Sequence, residues 1–353
     1  MSRRLLPAAA ALLAAWSVVA GAQEQVPDEA VPPPAPADVA KPALMVTGAA
    51  KGRLLDLAQA GSRLVAVGDH GVILTSEDGK AWQQVPSPVS QMLTRLRFLD
   101  EKNGWAVGYD ATILHTADGG RTWSLQHRDP EARVLFDVLF LDAQNGLAVG
   151  GYGSLYRTAD GGKTWERQTN PVTEIAQHFN RILALADGTL FVAGERGMLA
   201  RSKDAGATWE LLKSPYSGSY FGALSPDGKR VLAFGMRGNV YLSEDLSACP
   251  VQDPASFDSY AIETLSDPAQ IAALGWRKLD SPLQESFFGG SVLPDGRVLL
   301  VGTNAVAVRS DAGLQTLEIQ KLPASETLND IQPVAQRLLG VGRRGVQDLG
   351  ALP

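Results

Sequence analysis

Thr158-Ala159-Asp160-Gly161-Gly162-Lys163-Thr164-Trp165 decides the reading of this chain, because the chain repeats it. It returns as Thr116-Ala117-Asp118-Gly119-Gly120-Arg121-Thr122-Trp123 and as Ser202-Lys203-Asp204-Ala205-Gly206-Ala207-Thr208-Trp209, after a looser copy at Thr75-Ser76-Glu77-Asp78-Gly79-Lys80-Ala81-Trp82. The common form is S/T-x-D-x-G-x-T-W. Its chemistry is that of a tight hairpin turn. The carboxylate and the hydroxyl accept turn N–H groups, and Gly supplies a backbone conformation closed to other residues. The Trp opens the next strand, with enough apolar surface to wedge between neighbouring sheets. On this reading the acid is a structural staple and not a catalyst.

The motif is the Asp-box of β-propellers, and a second repeat agrees with it. Apolar strands ending in Gly recur as Leu64–Gly68, Trp105–Gly108, Leu147–Gly150, Phe191–Gly194, Val231–Gly235, Leu299–Gly302 and Leu339–Gly342. These glycines are 40 to 44 residues apart except for one step of 67. A period near 40 with several strands per unit means propeller blades. The expected fold is therefore an all-β, seven-bladed propeller of four-stranded antiparallel blades, spanning 42–353. The long step places an insertion at 246–275 in blade five, where Asp267-Pro268 and Gly275 resemble a helix start and stop. The seventh unit ends before its outer strand, so Ala43-Leu44-Met45-Val46 is expected to complete the last blade and close the ring.

Composition sets the surroundings. Residues 1–22 read as a secretory signal peptide, with Arg3-Arg4, an apolar run and Ala20-Gly21-Ala22. A membrane anchor is the alternative, but the run is short for spanning. Residues 23–41 read as a Pro-rich linker, and the expected location is the periplasm. The net charge is −6, and −8 once the leader is removed, which argues against general nucleic-acid binding. Cys249 is the only cysteine, so no internal disulfide forms. It is either buried or a site of intermolecular pairing.

Chemistry is sparse. The four histidines lack metal-ligand spacing, and there is no Gly-x-Ser-x-Gly and no phosphate loop. No cofactor is expected, nor is a catalytic centre, although a sialidase-like glycoside hydrolase remains the alternative. The turns after each Gly anchor and the loops between blades share one face. There Arg196, Arg237, Arg343 and Arg344 lie near Tyr220-Phe221 and Phe287-Phe288. Guanidinium groups beside aromatics suit a protein partner that presents a carboxylate. The plainer alternative is ordinary polar turns flanked by core aromatics.

From about Pro42 to Gly345 the chain resembles the photosystem II stability/assembly factor family. The Asp-boxes, the Gly-anchor strands and Gly235-Met236-Arg237-Gly238-Asn239-Val240-Tyr241 carry the resemblance. It implies a lumenal or periplasmic propeller, non-enzymatic and expected to be monomeric, that assists a membrane or envelope protein complex. It also implies that arginines on one face meet the partner. Arg237 is the position carried over, with Arg196 and Arg343 matching by repeat position only.

Overall fold

The computed structural model describes residues 39–353, so the expected signal peptide and most of the linker lie outside the described residues. Seven antiparallel sheets follow one another along the chain. Their inner strands are Leu54–Ala60, Leu93–Phe98, Leu135–Phe140, Phe179–Ala184, Tyr220–Leu224, Phe287–Val292 and Leu328–Val334. Each is paired to a second strand that is buried at nearly every position, such as Gly104–Gly108 or Val298–Gly302. These second strands are apolar throughout because neighbouring blades cover both their faces.

The Gly anchors end these second strands for a steric reason. A Cβ on Gly235 would overlap the Ser219 carbonyl, and one on Gly302 would overlap that of Ser286. At this level every inner strand carries an irregularity in its pairing, for instance between Tyr220 and Gly222. The bulge turns the first residues of the inner strand across the anchor, and only Gly leaves room.

The boxes fold as their chemistry requires. Thr158 Oγ1 accepts from Gly162 N (2.9 Å) and Asp160 N (3.3 Å), while Asp160 accepts from Thr164 N (2.9 Å) and Thr164 Oγ1 (2.7 Å). Gly162 sits at φ +84°, which favours glycine. The box tryptophans then enter the seams between blades. Trp165 packs edge-on against Phe140, which itself stacks on Trp105 of blade two. Leu317 fills the equivalent place in blade six and is buried there.

One feature differs from expectation, and a second adds to it. Six blades have four strands, but the seventh has three, Leu328–Val334, Arg337–Gly342 and Gly345–Ala351. The segment Ala43–Val46 does not complete it. Ala43 N donates to Ser87 O (3.0 Å), and the Gln84 side chain brackets Val46 N and Leu44 O (both 2.9 Å). Its backbone groups are thus engaged on the outer edge of blade one, which already has four strands of its own. The second feature is the path of residues 246–275. They leave the box face of blade five and climb the outer edge of blade four, where Val251 bridges Leu212. They return through the helix Pro268–Ala273, whose N-terminus is capped by Asp267.

Candidate functional site

The face opposite the boxes is built from a repeated hairpin turn. In six blades the residue two places after the Gly anchor has a left-handed backbone: His70, Asp110, Tyr152, Arg196, Arg237 and Asn304, at φ 50–57°. The next residue is also left-handed and is usually glycine, which makes a type I′ turn. The first of the pair is thereby presented to solvent at the blade tip. Most of these turns are also hydrogen-bonded to the following blade. Arg196 N reaches Ser219 Oγ (3.4 Å), Arg237 N reaches Ser286 Oγ (3.3 Å) and Asn304 N reaches Thr327 Oγ1 (3.3 Å).

This geometry sorts the arginines. Arg237 is exposed and makes no ion pair among the described residues. It lines an open groove of about 470 Å³ with Asn239, Lys278 and Gln284. Arg196 is engaged, with its guanidinium 4.7 Å from the Tyr260 ring and 3.7 Å from Glu195. Arg344 is bound to Glu326 (2.6 Å), and Arg343 approaches the same acid (3.9 Å). Position in the turn also corrects the assignment by repeat. A Cβ on Gly345 would strike the Ala50 carbonyl, just as one on Gly238 would strike that of Leu283. Arg344, not Arg343, therefore matches Arg237.

The aromatics divide as well. Tyr220 and Phe287 are fully buried core residues, and Tyr220 bonds Ser214 Oγ (3.0 Å). Burial pushes its phenol pKa well above the ordinary value. They are the first residues of their inner strands and face the seams, so neither can meet a partner. Phe221 and Phe288 occupy the bulges, are half-buried, and touch each other at 5.5 Å. They follow Ser219 and Ser286, and Met236 N and Arg237 N bond those two serines. The structure thus ties the Arg237 turn to the segments that carry Phe221 and Phe288 and leaves Arg343 and Arg344 with blade seven.

A constellation along the axis was missed by the sequence reading. The residue after each bulge is Asp56, Arg95, Asp137, Arg181, Gly222, Gly289 and Asp330 in blade order. Arg95 bonds Asp56 (2.7 Å) and approaches Asp330 (3.6 Å) and Asp137 (3.9 Å). Asp137 also takes Arg97 Nη2 (2.7 Å) and Ile182 N (3.0 Å), while Arg181 lies at 3.6 Å. Burial opposes the ionised form of Asp137, but Arg97, Arg181 and Arg95 outweigh it and hold its pKa below the ordinary value. Burial, with Asp56 beside it, pushes Asp330 well up. Burial, with Arg95 alongside, brings Arg181 down to about 9. The sequence signal was present, as apolar-x-charged at one repeat position in five of seven inner strands. These groups neutralise each other, so they plug the axis.

The comparisons with known proteins agree with this architecture. The family model for the photosynthesis system II assembly factor Ycf48 matches residues 74–134 and 127–247, just under half of the chain. Photosystem II assembly protein Ycf48 of Thermosynechococcus vestitus is 30% identical over 70 residues, which are 18% of this chain and 20% of that protein. The chloroplastic stability/assembly factor HCF136 of Cyanidioschyzon merolae is 45% identical over 47 residues, 13% of this chain and 11% of that one. The chain therefore aligns with a fifth or less of the length of these relatives, which are assembly factors by name. Among solved structures, YCF48 bound to D1 peptide superposes with a TM-score of 0.60 at 19% identity, covering 90% of this chain and 99% of that one. YCF48 from Cyanidioschyzon merolae gives 0.62 at 17%, covering 87% and 97%. The WD40 propeller of Doa1 gives 0.61 at 10%, covering 86% and 94%, so shape alone shows the propeller and not the family. The sequence matches separate the two: the segments that match resemble photosystem II assembly factors.

Proposed function

We propose that this protein is a non-enzymatic, exported propeller that binds a carboxylate-bearing segment of a membrane or envelope protein and assists its assembly. The observation that carries this reading is Arg237: exposed at a blade tip, free of ion pairs among the described residues, and in a turn whose backbone bonds Ser286, two residues before Phe288 of the Phe221–Phe288 pair. An unpaired guanidinium offers bidentate bonding to a carboxylate, and the two rings offer apolar area beside it. The neighbouring structure whose title names a bound D1 peptide supports a polypeptide ligand, as do the assembly factors among the relatives. The basic and apolar leader at Arg3–Val19 supports export to the periplasm. The hydrolase reading draws no comparable support. The arginines that do converge, Arg95, Arg97 and Arg181, have carboxylates and a backbone carbonyl as partners instead of an open pocket.

The test is capture of a partner from detergent-solubilised membranes of the source organism by the immobilised protein. Arg237→Glu should abolish capture and leave the melting temperature nearly unchanged, because the exposed side chain makes no hydrogen bond or ion pair among the described residues. Lys163→Glu, in a box turn on the opposite face, should do neither. Retained capture by the Arg237 variant, with loss in the Lys163 variant, would place the partner on the other face.

A further inference from the structure

The insertion in blade five does more than bridge two strands. Having climbed the edge of blade four, it arrives on the turn face beside the short helix Pro171–Glu174. Phe257 packs there against the cluster of Val172, Ile175 and Phe179, and Tyr260 lies under the Arg196 guanidinium. Thr264 then bonds Ser217 (2.8 Å) and Leu265 N donates to Pro215 O (2.9 Å), which fixes the return. An open groove of about 390 Å³ is left between helix and insertion. Its walls are Pro171, Ile175, Pro254, Phe257 and the Tyr260 ring, which is 84% exposed. Glu174 and Asp258, both exposed, stand on its rim.

The charge of this rim is one-sided. Residues 246–275 contain Asp253, Asp258, Glu263 and Asp267 and no Lys or Arg. Glu174, Asp258 and Glu263 make no ion pair among the described residues. An apolar trough with unpaired carboxylates on its rim repels the acidic segment 23–38 of this same chain, which carries Glu24, Asp28, Glu29 and Asp38 and no base. A second copy of a chain of net charge −6 is disfavoured on the same ground.

We propose that this groove docks an extended cationic segment of a partner polypeptide. An apolar side chain would enter between Ile175, Phe257 and Tyr260, with Lys or Arg on either side meeting Glu174 and Asp258. The site is separate from the Arg237 turn and opposite to it in charge. The turn face is therefore bipolar, and Tyr260 joins the halves by serving one wall of the groove while occupying Arg196.

A positional-scanning array of extended peptides, probed with the whole protein, tests this without knowledge of the natural partner. The array should select Lys or Arg flanking a large apolar residue. In fluorescence anisotropy the best peptide should bind at least about tenfold more weakly to the double variant Glu174→Lys, Asp258→Lys, and more weakly in high salt, as expected of exposed charges. Arg237→Glu should leave that affinity within about twofold, since the two sites are separate. This outcome also keeps the result apart from the fate of the Arg237 reading. Selection of acidic or uncharged peptides, an array with no signal dependent on the groove, or equal affinity for the double variant would overturn the proposal. So would competition by a peptide of residues 23–38, which would make the chain's own segment the occupant.

Discussion

Asp137→Ala should be among the most damaging single substitutions in the molecule. Its carboxylate is fully buried at the axis, where it accepts from Arg97 and from Ile182 N of blade four, with Arg95 and Arg181 within 4 Å. Removing it strands a buried backbone donor and leaves three guanidinium groups with only Asp56 and Asp330 as axial carboxylates. Breaking one side of a buried ion pair costs about 3–5 kcal/mol. With an unfolding entropy of about 2.1 cal/mol/K per residue over residues 39–353, that is a fall in melting temperature of about 5–8 °C. Differential scanning calorimetry reads it directly. Adding Arg97→Met should recover part of the loss, because one of the uncompensated charges is then gone. If Asp137→Ala melts within about 1 °C of the wild type, or if the double variant is worse than the sum of its parts, the axial cluster is not the staple argued for here.

Two further outcomes follow from the turns. Thr158→Val keeps the volume but removes the buried hydroxyl that receives Gly162 N, so a loss of about 1–3 kcal/mol is expected by urea denaturation, with the turn face binding as before. Acid should destabilise the protein in two stages. Burial lowers His115 and His127 below 6.5, so each contribution is whole above 6.5 and is lost as the pH falls from there through the lowered value. The hydrogen bond from Thr164 holds Asp160 at about 2, and that from Thr208 does the same for Asp204, so their contributions persist above about pH 4 and disappear towards pH 2. Asp330, whose pKa is raised, acts in the opposite sense. Melting temperatures that stay flat from pH 7 to pH 3 would contradict this.

The parts legible in the sequence were those whose chemistry is local. A box closes on itself within eight residues, so its hydroxyl, carboxylate, Gly and Trp announce it wherever it occurs. The Gly anchors repeat because each blade meets the same steric demand. The candidate site was less legible, because exposure at a blade tip depends on what lies over it. Nothing in the order of residues shows that Tyr260 travels from the box face of blade five to cover Arg196, or that Glu326 takes Arg344. Tyr220 and Phe287 read like their neighbours Phe221 and Phe288. A bulge between them sends one of each pair into the core and the other towards the mouth of the axis. The axial charges were readable as a pattern but looked like polar positions on half-exposed strands. Their meaning appears only when seven inner strands are set around a common axis.

The seam between blades seven and one shows what those inner contacts are for. Propeller blades share no backbone ladder with their neighbours, and among the described residues no strand is lent across the join, so closure there rests on side chains. Asn329 Nδ2 donates to Leu54 O (2.8 Å), as Asn180 does to Tyr220 O (2.7 Å) and Thr94 to Leu135 O (2.5 Å) elsewhere in the ring. All three donors are the bulged residues of their inner strands. Beneath them Arg95 reaches Asp56 and Asp330 from blade two, joining both sides of the seam to a third blade. Leu64, Ala66, Leu339 and Val341 add the apolar layer outside it. The same bulge that forces an anchor to be glycine thus supplies the donor that links one blade to the next. The ring is held from its axis outward, and its outer edge is free to carry the insertion.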